Sequence, residues 1–230
     1  MQMNKYETRK EKWQEIAKKH LMAGVDIFDI DSVYIDETVV IGEGTVIGPC
    51  VRIEGNTVIG KNCTIEQNSR LLDAKIGDNV NIDNAVTLDS SVGDETTVGP
   101  YAYIRPGSKI GAKCKVGDFV EVKNASLDDG TKSAHLTYIG DADIGKNVNL
   151  GCGVVFVNYD GKNKHRTTVG DSCFIGCNVN LVSPVNICEG AYIAAGSTVT
   201  KDVPKDALSV ARAHQKNIDG WATKKGLYRK

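Results

Sequence analysis

From Ile35 to about Val199 the chain repeats itself every six residues. One run reads Ile41-Gly-Glu-Gly-Thr-Val, Ile47-Gly-Pro-Cys-Val-Arg, Ile53-Glu-Gly-Asn-Thr-Val, Ile59-Gly-Lys-Asn-Cys-Thr and Ile65-Glu-Gln-Asn-Ser-Arg. A fixed short period led by an aliphatic residue is the signature of a parallel β-helix. Each hexad supplies one short strand and one turn, and the aliphatic side chain points into a narrow interior. The next residue is often Gly (Gly42, Gly48, Gly60, Gly111, Gly170), and Asn or Gly often follows two residues later (Asn62, Asn79, Asn147, Gly44, Gly190). Both residue types accept the left-handed backbone angles of tight turns. Three hexads make one triangular coil of about eighteen residues.

Composition agrees with thin stacked coils: 24 Gly and only 6% aromatic residues leave a core of Ile and Val. With 28 Lys and Arg against 29 Asp and Glu, the net charge is -1, unlike the basic footprint of a nucleic-acid binder. No apolar stretch approaches a membrane span, and residues 1–20 are too charged for a signal peptide. Seven cysteines without a CxxC pair argue against a disulfide framework and a zinc knuckle, and fit a reducing cytosol. Cys63, Cys114 and Cys173 take the fifth hexad position, which is otherwise small or β-branched (Thr45, Val51, Thr57, Val86, Val120), and so read as core. Cys152 and Cys177 take the third position instead.

Three segments follow. Residues 1–34 are a helix and linker, with Tyr6, Trp13, Ile16, Ala17 and Leu21 near one face of an amphipathic helix over 3–22. This is a cap for the open end of the coil, which repeat proteins need, in preference to a membrane-surface helix. Residues 35–200 are the β-helix. Residues 201–230 are an irregular tail with Arg212, Trp221 and a basic terminus.

The repeat breaks at length twice, at Asp128 to Asp143 and at Val157 to Thr168. The first break carries His135, a candidate acid or base on a displayed loop. Arg105 and Lys123 precede it, one coil apart, each directly after its aliphatic residue. They should stack on one face, where two cations suit a phosphate; a solvated ladder with Glu121 is the alternative. The second break reads Asn158-Tyr-Asp-Gly-Lys-Asn-Lys164-His-Arg166, with Lys164 and Arg166 adding charge at a loop tip. The four histidines form no close pair, so no metal site is expected.

The six-residue period resembles that of the left-handed β-helix proteins, an all-β fold. The motifs Tyr103-Ile-Arg-Pro-Gly107, Gly117-Asp-Phe-Val-Glu-Val-Lys123, His135-Leu-Thr-Tyr138, Val148-Asn-Leu-Gly151, Asn158-Tyr-Asp-Gly161 and Ile193-Ala-Ala-Gly-Ser-Thr198 are more specific. With them the chain, from about Leu21 to Trp221, resembles the C-terminal acetyltransferase domain of the bifunctional N-acetylglucosamine-1-phosphate uridylyltransferase/glucosamine-1-phosphate acetyltransferase family. The resemblance implies acetyl transfer from acetyl-CoA to the amine of glucosamine 1-phosphate, on the route to UDP-N-acetylglucosamine and peptidoglycan, in the cytoplasm. His135 would be the general base, since the amine must be neutral to attack a thioester. Arg105, Lys123 and Lys164 would hold the phosphate, and Tyr138 and Asn149 the sugar. Asn158, Tyr159, Ala195 and Arg212 would face acetyl-CoA, together with Cys152 and Cys177, where the family pattern has a small residue and a serine. The uridylyltransferase domain is missing, so that activity is expected to be absent and a separate uridylyltransferase becomes a partner. A flat-sided coil offers no deep pocket, and the family forms homotrimers with sites between subunits. Alternatives are an acetyltransferase for another amino sugar or nucleotide sugar, and a non-catalytic sugar-nucleotide scaffold.

Overall fold

An aliphatic residue at every sixth position is buried on all sides only if the chain turns a corner with each hexad. The computed structural model, which describes residues 5–227 and side chains from Glu7 onward, does this. Its strands wind into a left-handed β-helix whose faces are parallel sheets of eleven, ten and nine strands. Each strand pairs with its counterparts one coil before and after. On the second face Tyr103 sits opposite Glu121, which sits opposite Tyr138. Leading residues such as Ile47, Ile53, Ile65, Ile82 and Ile104 are fully enclosed. Each contributes about 1.5–3 kcal/mol of burial. Corners are turned by residues at positive φ, among them Asn62, Asn79, Asn147 and Asn178.

The fifth position also points inward, and its polar members bridge coils. Thr45 Oγ1 donates to the Gly60 carbonyl (2.9 Å) and accepts from the Cys63 amide (3.0 Å). Cys63, Cys114 and Cys173 are buried, as expected, and donate to the carbonyls of Gly77, Asp128 and Cys188. Burial pushes all three thiols up, so they stay protonated core residues. At one slip the inward residue is Ala85 while Val86 faces outward, because a five-residue side replaces a hexad.

The first break in the repeat is no loop. Leu127, Ser133 and Ile139 are six apart and all enclosed. The hexad continues with Ser133 in the aliphatic slot, which hides it from a hydrophobic pattern. His135 therefore ends a strand, Lys132–His135, paired with Lys115–Asp118. The second break is a true excursion. Ser126 meets Asp143 seventeen residues on, whereas Asp143 meets Thr168 twenty-five residues on. The extra residues form a loop from Asn158 to Arg166.

Pairing begins at Asp26, ahead of residue 35, and runs past 200 to Ser209. Short strands without full hexads extend both ends. The helix Lys5–Met22 buries Ile16 and Ala17 at the open end, and the edge of Trp13 meets the Tyr34 ring at 4.7 Å. Leu21, expected on the packed face, is exposed, because the chain turns back into the coil there. Residues 3 and 4, the Tyr6 side chain and the basic terminus beyond 227 lie outside the described residues. The tail helix Trp221–Lys224 buries no residue. Among the described residues no helix is long and apolar enough to cross a membrane.

Candidate active site

Two edges of the second face carry the candidate residues. The edge shared with the first face holds a straight column. Asp118 sits in register with His135. The His135 carbonyl accepts from the Gly153 amide, the Cys152 carbonyl from the Asn178 amide, and the Cys177 carbonyl from the Gly196 amide. One position per coil thus reads Asp118, His135, Cys152, Cys177, Ala195. Arg212 lies beside Gly196 at the far end, its Cδ 3.7 Å from where a glycine Cβ would stand. Every residue expected to line acetyl-CoA except Asn158 and Tyr159 falls on this line, and His135 stands at its start.

His135 Nδ1 lies 2.6 Å from Asp118 Oδ1. A carboxylate only accepts, so Nδ1 carries a proton, and in the neutral ring Nε2 is left as the acceptor. The hydrogen bond to His135 holds the Asp118 carboxyl below the usual carboxylate range. Sequence reasoning missed Asp118. The signal was available, since Asp118 precedes His135 by one coil.

The other edge, shared with the third face, holds a cation cluster. Register places Arg105 above Lys123, as the period predicts. Their side chains diverge: Arg105 Nη1 pairs with Glu121 Oε1 at 2.6 Å, and its guanidinium lies over the Tyr103 ring at 5.7 Å. Lys123 Nζ is 3.9 Å from Asp141 Oδ2. Asp141 is buried, and burial opposes its charge. Donation from Asn124 (2.6 Å) and Asn158, with the charges of Lys123 and Lys164, nonetheless holds its carboxyl low. Asn158 Nδ2 is also 3.5 Å from the Tyr138 hydroxyl. Lys164 stands so close to Lys123 that its ammonium is pushed below the usual lysine value. Lys123, Lys164, Tyr138 and Asn158 are thus brought together around Asp141, which sequence reasoning also missed.

The loop is held firmly. Asp160 Oδ1 accepts from the amides of Lys162 (2.7 Å) and Asn163 (2.6 Å), and its other oxygen meets His165 Nε2 at 2.7 Å. These bonds hold its carboxyl far below the ordinary range. The Tyr159 hydroxyl donates to the Gly161 carbonyl. Arg166 is at the root of the loop, not its tip: its fork grips Asp143 and donates to the carbonyls of Asn124 and Ala142. Asn149 is exposed on the first face, between Lys132 and Phe174, apart from both clusters. Among the described residues no group of three or more His, Cys, Asp or Glu side chains is gathered to hold a metal ion.

Residues 166–201 match the family model described as bacterial transferase hexapeptide (six repeats), and residues 23–122 match that of the EIF2B subunit epsilon LbH domain. The chain is 57% identical over 217 residues to the Bifunctional protein GlmU of Alkaliphilus oremlandii, covering 94% of this chain and 48% of that protein. It is 56% identical over 208 residues to that of Clostridium beijerinckii, covering 90% and 46%. It therefore spans about half the length of the curated relatives it matches. A solved UDP-N-acetylglucosamine acyltransferase of Arabidopsis aligns with TM-score 0.46 and 16% identity over 86% of this chain and 76% of that one. Repeat and sheets define the class, a left-handed β-helix of hexapeptide repeats. The chain belongs to the GlmU family, as the C-terminal, hexapeptide-repeat half of it.

Proposed function

We propose that this chain is an acyltransferase acting on a sugar, and that it acetylates the amine of glucosamine 1-phosphate with acetyl-CoA. One observation carries the reading: His135 begins the column that continues through Cys152, Cys177 and Ala195 to Arg212. A thioester laid along that column reaches the free Nε2 of His135. His135 removes a proton as the amine attacks the acetyl carbon, and the tetrahedral intermediate expels the coenzyme thiolate. Lys123 and Lys164 hold the phosphate, with Arg105 as a third cation once it leaves Glu121. Tyr138 holds the sugar, and Asn149, apart from both clusters of its own copy, meets it only where two copies join.

In this substrate the amine and the phosphate sit on adjacent carbons. In one copy, His135 and the cations lie on opposite edges of a face, separated by Tyr138–Gly140, about 10 Å of extended chain. The reading therefore requires the His135 edge of one copy to face the Lys123 edge, with its Asn158 and Tyr159, of the next. A homotrimer meets this need. Uridylyl transfer is left to another domain or protein.

Thiol release from acetyl-CoA tests the reading, with 1-phosphate, 6-phosphate and UDP-linked amino sugars as acceptors. Release with the 1-phosphate alone supports it. Release with another acceptor shifts the substrate, and binding without turnover supports a scaffold. His135→Ala should lower the rate on the order of 100-fold or more, as expected for a lost general base. An unchanged rate would remove His135 from the chemistry.

A further inference from the structure

We infer that Asp118 is the positioning residue of His135, fixing the imidazole so that Nε2 alone is free to take the proton of the attacking amine. The inference rests on reading His135 as the base, and adds a residue that touches neither substrate.

Three independent features converge on this pair. The first is the hydrogen bond itself, 2.6 Å between Asp118 Oδ1 and His135 Nδ1. A neutral imidazole can carry its proton on either nitrogen, and only the Nδ1–H form leaves Nε2 as an acceptor. The carboxylate selects that form and fixes the ring plane.

The second is clearance. Asp118 stands opposite His135 because the strand Lys115–Asp118 stays paired with Lys132–His135 to its last residue. Gly117 permits this approach: a Cβ there would lie 2.0 Å from the Ala134 carbonyl oxygen. Any side chain at 117 would part the two strands just where the dyad forms.

The third is strain at the next residue of each strand. Phe119 follows Asp118 at φ 55, and Leu136 follows His135 at φ 46, where other coils mostly place Asn or Gly. Bulky side chains in the left-handed region cost about 1–2 kcal/mol each, and such outliers concentrate where function requires them. Phe119 is stacked on Tyr101 at 5.5 Å, itself at φ 57. The His135 main chain is held as well, its carbonyl accepting from Thr137 Oγ1 at 2.8 Å.

Asp118→Ala and Asp118→Asn separate positioning from mere structure. With the acceptor that the wild type uses, Asp118→Ala should lower kcat on the order of 100-fold, as expected for a misplaced catalytic group, and leave KM for acetyl-CoA and acceptor within about twofold. Asp118→Asn, whose amide oxygen can still accept from Nδ1–H, should recover part of that loss. Nitrogen-15 NMR of the imidazole provides a readout independent of turnover. Wild-type neutral His135 should carry its proton on Nδ1, and Asp118→Ala should shift the population toward Nε2–H. Should the wild type acetylate nothing, this tautomer shift still supports positioning while the proposed function fails. A wild-type Nε2–H tautomer overturns the inference. So does an Asp118→Ala protein with wild-type kcat, or one whose kcat loss is not eased in Asp118→Asn while both variants keep the wild-type fold by circular dichroism.

Discussion

Asp141 shows how one buried carboxylate organises its surroundings. It accepts from Asn124 and Asn158 and balances two lysines that would otherwise repel each other. Its folded pKa is depressed, so its contribution to stability is present above the usual carboxylate range and is lost as pH falls through the folded value. Lys164 is depressed as well, with the opposite consequence for binding. In the alkaline range just below the usual lysine value, part of Lys164 is neutral in the free protein. A bound phosphate favours the charged form, so binding there should take up protons. Calorimetry in buffers of different ionisation enthalpy reads this directly, and proton-neutral binding would place the phosphate elsewhere. Ser133 offers a second test. Its hydroxyl is buried without a hydrogen-bond partner. Removing such a group relieves a desolvation cost, so Ser133→Ala should raise stability by about 1 kcal/mol, visible as a higher Tm. None of Asp118, Asp141 and Ser133 was singled out from the sequence, because a carboxylate or a serine has no hydrophobic period. Each shows its role only beside its neighbour one coil away.

At the scale of elements, the hexads with aliphatic leads and Gly or Asn turns were legible, down to the inward cysteines and the stacking of Arg105 on Lys123. The stretch around His135 reads as a loop in the sequence because Ser133 occupies an aliphatic slot, so a strand looks like an interruption. The Asn158–Arg166 loop was legible as a loop, yet its inner bonding was not. Arg166 was expected at the tip because its charge is visible in sequence and its partner Asp143, a coil away, is not. That clamp is testable. Arg166→Ala removes a forked ion pair and two carbonyl bonds. It should loosen the loop that carries Asn158, Tyr159 and Lys164 and raise KM for the substrates severalfold, while the circular dichroism of the β-helix stays unchanged. Faster amide exchange confined to 158–166 is the matching signature; exchange spread along the sheets would mean the clamp holds more than the loop.

The whole molecule is a column in which each coil touches only its neighbours, so both the core and the candidate site are assembled by stacking. Face order and coil length were legible because they follow from a period. How the two edges combine was not, because it depends on a second copy. Light scattering should report a trimer, and a monomer that retains full activity would end the shared-site reading. The coil containing the loop has one further consequence. Its strands pair twenty-five residues apart on every face, while the next step returns to eighteen, from Phe174 to Tyr192. Length added at a corner is absorbed there and does not propagate. The excursion therefore carries Asn158, Tyr159 and Lys164 out from the rod without changing the spacing of the coils on either side.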